Sequence, residues 1–224
     1  MISKLHLVMH GVAVKKHCGA NEIAALIGLS PNVTQDQLSA AEASGRVLLA
    51  DGKYMLSSAG QMILRGEYSR FYSTLRVDPR FIAACDRFEI INTELKQAIT
   101  EWQTMEIAGE RVANDHSNSD YDDKLIDRLG DLHERFEPIL AELIDGETRL
   151  QCYAGKMSNA LERVEGGAIE WVSDAALESY HTVWFELHED LLRLLGRDRE
   201  ESGADSQKNS GLKTERTEVN EWVD

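Results

Sequence analysis

The sequence predicts a mainly α-helical chain in two parts, with one small β-hairpin near its N-terminal end. Three observations carry that prediction. Apolar residues recur at three- and four-residue spacings over most of the first 196 positions, which is the helical period. The strongest hairpin signal is Asp51-Gly52, set between the short runs RVLLA and KYMLS. Charge is also divided: residues 1–76 hold eight Lys/Arg against five Asp/Glu, a balance of +3, so the remainder must carry −18 for the chain to reach its net −15. The expected organisation is a first part over 1–76, an acidic helical part over 77–196 and a polar tail over 197–224. That tail has almost no apolar residues before Glu221 and is expected to be disordered.

In the first part, Ser3 caps a helix running to about Cys18, with Leu5, Val8, Met9 and Val12 on one stripe, and Gly19 stops it. Asn21 caps a short second helix, EIAALIG. The turn Gly28-Leu29-Ser30-Pro31 then leads into a third, PNVTQDQLSAAEASG, in which Pro31 suits the first position and Gly45 the end. Three helices followed by a hairpin make a winged helix-turn-helix. The run EIAALIGLSPNVTQDQLSAAEASGRVLLADGKYMLSSAGQMIL, including the Y-x-L-S-x-x-G step from Tyr54 to Gly60, resembles the DNA-binding half of winged-helix bacterial regulators of the MarR type over about a third of the chain. That resemblance implies base reading by Asn32, Thr34, Gln35 and Gln37 in the major groove, with Arg46 and Lys53 at phosphates. The third helix nevertheless has no lysine or arginine and carries Asp36 and Glu42. The leading expectation is a winged-helix transcriptional regulator with a C-terminal helical dimerisation and ligand-binding domain; because affinity for DNA grows with each phosphate neutralised, docking on protein is the alternative use of the fold.

The second part reads as four long helices. The segment PRFIAACDRFEIINTELKQAITEWQTM repeats Phe81, Cys85, Phe88, Ile91, Leu95, Ile99 and Trp102 at helical spacing, after Asp78 as cap and Pro79 as first residue. A polar loop, ANDHSNSD, precedes YDDKLIDRLGDLHERFEPILAELI, where Ser119 and Asp122 resemble a capping box and Pro138 is expected to kink or interrupt the helix. ETRLQCYAGKMSNALERV ends at Gly166-Gly167, and Ser173 is expected to cap a last helix through about Leu195. Short connections imply an antiparallel bundle. Segments such as ELKQAITEWQ and SYHTVWFELHEDLL are similar to a helical segment accompanying phosphoenolpyruvate-utilising phosphotransferases; their phosphorylatable histidine region is absent here, so the resemblance implies a non-catalytic accessory or docking module.

Side chains for a ligand are sought on the last helix, where His181, Trp184 and His188 share a stripe. Together with Trp102 they are the expected lining of an effector pocket, the histidines acting either as hydrogen-bonding anchors or as buried neutral core residues. Metal chemistry has weaker candidates: Glu178 and His181 form one Glu-x-x-His pair, with His133 or Glu137 as a further ligand, but no second such pair exists for a di-iron site. His181 and His188 are separated by about 10.5 Å of helix rise, too far to share one ion. His6 and His10 are expected to be partly buried or on the surface, and the loop 114–120 is a solvated cap or a ligand loop. No phosphate loop, G-x-S-x-G or C-x-x-C occurs, and Cys18, Cys85 and Cys152 are expected to be reduced thiols. The expectation is therefore a non-enzymatic, cofactor-free, cytoplasmic homodimer without a membrane span. Its partner is DNA or another protein, and a small-molecule effector is possible.

Overall fold

The computed structural model describes residues 2–107 and 109–197. Over these the chain is mostly helical, with eight α-helices and two small antiparallel hairpins. The expected tail lies outside the described residues except for Arg197. No described helix is long and apolar enough to cross a membrane.

Ser3 opens α1 (Lys4–Lys15) by accepting the His6 amide at 3.1 Å. The helix stops three residues before Cys18, because Lys16 turns to φ +66° and Cys18 instead pairs backbone to backbone with Tyr54. The cap of α2 (Ala20–Ile27) is Gly19 and not Asn21: the Glu22 carboxylate reaches back to accept the Gly19 amide at 2.7 Å. α3 (Pro31–Ala43) begins as expected, with Ser30 as cap and Pro31 in its first turn, and Gly45 follows it at φ +70°. The hairpin β1 (Val47–Ala50) and β2 (Lys53–Leu56) turns at Asp51-Gly52, both with positive φ. α4 (Ser58–Phe71) follows at once.

The Y-x-L-S-x-x-G step now has a physical reason. Tyr54 is buried under α3 and accepts a hydrogen bond from Gln35 Nε2 at 2.9 Å. Ser57 both caps α4 through the Gly60 amide and donates to the Gly45 carbonyl at 2.6 Å. Gly60 passes so close to the hairpin that a Cβ there would lie 1.9 Å from the Arg46 carbonyl oxygen.

In the second part α5 (Pro79–Gln103) is capped by Asp78, as expected, but ends two residues early in a hairpin that the sequence reading missed, β3 (Thr104–Ile107) and β4 (Glu110–Ala113). The N-cap of α6 (Ser119–Gly146) is Asn118, which accepts the Tyr121 amide, while Asp122 serves the preceding loop. Pro138 does not interrupt α6, which remains one helix, with the ring on its exposed side. After α7 (Gln151–Glu165), residues 166–178 form turns and one short 3-10 segment. Ser179, and not Ser173, caps α8 (Tyr180–Leu195) by accepting the Thr182 amide.

α5 packs along α6, and α8 lies against α7 and α1. The apolar core is one continuous cluster from Val8 to Leu194, shared by both parts of the chain. Gly60→Ala is expected to cost about 1–3 kcal/mol, since the hairpin must move to admit one methyl group. Thermal unfolding checks this, and a change of less than a few tenths would show that the close approach is not rigid.

Candidate functional site

Two regions merit building up from their residues: the outer face of α3 with its hairpin, and the polar cluster beneath α8. On the first, Asn32, Gln35 and Lys53 are exposed, Gln37 and Arg46 are half-buried, and Thr34 is fully buried with its hydroxyl unpartnered. Thr34 therefore cannot read a base; its place in the helical period turns it toward α2 and the core with Leu38 and Ala41. Gln35 is already engaged with Tyr54. Across residues 31–56 the charged groups are Arg46 and Lys53 against Asp36, Glu42 and Asp51, two against three. Beside them Leu48 and Leu49 stay exposed at 51% and 44%, and Met62 on α4 at 77%. Two further basic residues of the first part are turned inward: Lys15 pairs with Glu186 at 2.7 Å, and Arg76 donates to the Leu194 and Arg193 carbonyls at the end of α8.

The expected ligand pocket is not formed. Trp102 lies near the far end of α5 from Phe88, about 21 Å along the helix, with the His116 ring 4.5 Å away and only a void of about 10 Å³ beside it. Trp184 and His188 belong instead to a closed chain of bonds in the core. Trp184 stacks on Phe88 and donates to Asn92 Oδ1 at 3.0 Å, Asn92 donates to Glu89 at 2.9 Å, and His188 Nε2 meets the other Glu89 oxygen at 2.8 Å. Burial pushes the Glu89 carboxyl up, but its bonds to His188 and Asn92 outweigh this and hold it low. His181 is half-buried, with its imidazole pushed below its ordinary value by burial alone. The metal candidates fare no better: Glu178 is held by Lys156 and Lys15, and His133 bonds the Tyr180 hydroxyl at 3.1 Å. Among the described residues no group of three or more His, Cys, Asp or Glu is placed to hold a metal ion. The thiols of Cys18 and Cys85 are both pushed up to about 12 by burial, which removes them as nucleophiles.

What the sequence reading missed is Asp190. It sits on α8 with no solvent exposure, takes both Arg149 guanidinium nitrogens at 2.6 and 2.7 Å, and accepts the Tyr153 hydroxyl at 2.9 Å. His10 of α1, also fully buried, places Nε2 3.2 Å from the same carboxylate and bonds Tyr68 of α4 through Nδ1 at 2.5 Å. Burial pushes Asp190 up, but the Arg149 charge overrides it and holds the carboxyl well below the usual range. His10 goes the other way, lowered to about 4 because burial outweighs the attraction of Asp190. His6, one turn earlier, is also fully buried and bonds Glu67 at 2.9 Å, so neither histidine of α1 is a surface residue.

Two outcomes are expected. Asp190→Ala leaves Arg149 buried without its partner and costs about 3–5 kcal/mol in denaturant unfolding; a loss under 1 kcal/mol would mean that solvent reaches the guanidinium. For pH, His10 binds its proton near 6.5 when unfolded but near 4 when folded. The unfolded state thus holds more protons between those values, and stability falls as pH drops through that window. His10→Gln should flatten the fall, leaving the smaller contributions of His6, His133 and His181. Comparison with protein-family models, characterised proteins and solved structures finds no match to this chain.

Proposed function

We propose that the chain is a non-catalytic regulatory protein whose residues 4–71 act as a winged helix-turn-helix docking on a protein surface, with the acidic helical part as its support. One observation carries this reading. The stretch 31–56 that would meet a polyanion has two basic groups against three acidic ones, and its hairpin exposes apolar side chains on both faces, Leu48 on one and Leu49 on the other. A surface of that kind gains little from releasing phosphate counterions, whereas a partly apolar patch with a polar rim is the usual make-up of a protein contact. The resemblance of the second part makes a phosphoenolpyruvate-utilising phosphotransferase the first partner to try.

A second reading, a dimeric DNA-binding regulator with a small-molecule effector, is favoured by the exposed amide of Asn32, which suits an adenine edge. It depends on two copies combining their small positive contributions. DNA from upstream of the chain's own gene, compared with random DNA at low and physiological salt, separates the two. The docking reading expects no selectivity and little binding at either salt, together with a protein partner retained by the wild type and lost on Leu48→Asp/Leu49→Asp. A selective DNA complex weakened about tenfold or more by Asn32→Ala would overturn it.

A further inference from the structure

A groove of about 370 Å³ runs between α6 and α7, within the size range of small-ligand sites. At one end stands His133, whose side chain is only 9% exposed. Its Nδ1 bonds the Tyr180 hydroxyl at 3.1 Å, while Nε2 lies 3.7 Å from Glu137 Oε1, beyond hydrogen-bonding distance. Two polar atoms so placed leave room for a third between them, at an ordinary hydrogen-bond length of about 2.9 Å from each. The middle of the groove is aliphatic, formed by Leu140, Ile144 and Ala154. Asp145 stands at the other end, eight residues and about 12 Å beyond Glu137 along α6. No lysine or arginine lines it.

We infer that this groove binds a linear aliphatic diamine or polyamine. One ammonium sits between His133 Nε2 and Glu137, the methylene chain covers Leu140 and Ile144, and the second ammonium reaches Asp145. Burial keeps the His133 imidazole below its ordinary value despite the pull of Glu137, so it is neutral at pH 7 and able to accept. The bound cation selects the tautomer in which Nδ1–H donates to the Tyr180 oxygen and Nε2 carries the lone pair. A metal ion does not fit the same place, because among the described residues only two donor side chains meet there and no third His, Cys, Asp or Glu completes a set.

The chain's net charge of −15 attracts any cation, so the test must separate the groove from the general field. Calorimetric titration of the full chain with spermidine, octylamine and octanoate is read alongside the His133 ring-nitrogen resonances. Spermidine is expected to bind more tightly than octylamine, octanoate not at all, and the Nε2 resonance to move with saturation. Glu137→Gln should weaken spermidine about tenfold or more, the loss of one charge-assisted bond. Asp36→Asn, which removes the same charge from α3, should weaken it less than about twofold. Equal weakening by the two variants, binding of octanoate, or no heat and no resonance shift at millimolar spermidine would each overturn the assignment.

Discussion

Asp190 places a full negative charge where there is no water, and the surroundings of α8 are arranged to make that tolerable. Removing a carboxylate and a guanidinium from solvent costs several kcal/mol for each ion, recovered only when the pair is well aligned and its remaining hydrogen-bonding capacity is met. Arg149 supplies two parallel bonds, Tyr153 a third, and His10 approaches from the first helix of the chain. Its two hydrogen-bonding partners come from the turn before α7 and from α7 itself, with His10 of α1 as a third neighbour, so the carboxylate is satisfied only when α7 and its leading turn are seated against α8. Apolar packing alone tolerates small slips between helices; a bidentate pair at 2.6 and 2.7 Å does not.

The same helix receives two further ties from the N-terminal part. Lys15 at the end of α1 reaches Glu186, and burial, which would pull the lysine down, is outweighed by that partner. Arg76 donates to the Leu194 carbonyl, and to the Arg193 carbonyl that also accepts the Gly196 amide, at the end of α8 where a cation is favoured by the helix dipole. Three polar ties on one helix, above a continuous apolar core, hold the α3 and hairpin face in a fixed orientation to α5–α7. A face held this way suits the rigid presentation of a docking surface. It is less suited to a mechanism in which two winged helices change spacing by rocking on their supports, because such motion would have to break a buried ion pair.

Much of the architecture was legible because it is local. Ser3, Ser30-Pro31, Asp51-Gly52 and Asp78-Pro79 act through bonds within four residues, and all four start or turn the elements expected of them. Errors arose where two local signals compete. Ser173 and Ser179 are both competent caps, and only the packing of Tyr180 and Val183 into the core decides for the second. The hairpin of Thr104–Ile107 and Glu110–Ala113 was lost beside a strong helical period, although Gly109 between short apolar-polar alternations marks a turn and takes φ +85°. The site was far less legible. Asp190 lies 41 residues from Arg149 and 180 from His10, and nothing in the spacing along α8 sets it apart from Glu186 and Glu189 on the same helix. The stripe of His181, Trp184 and His188 was real as a period, but Glu89 and Asn92 on α5 tie Trp184 and His188 into the core while His181 stays half-buried, and no local pattern announces a partner on another helix.

Asp190 helps to make the two parts of the chain one cooperative unit, which native-state hydrogen exchange checks by comparing the opening free energies of amides in α1 and α3 with those in α5 and α8. The account expects the slowest amides of all four helices to share one opening free energy in the wild type, and expects α1 and α3 to open separately, at lower cost, in Asp190→Asn. Independent opening of α1 and α3 in the wild type would contradict it, since the polar ties would then join two units that fold without each other.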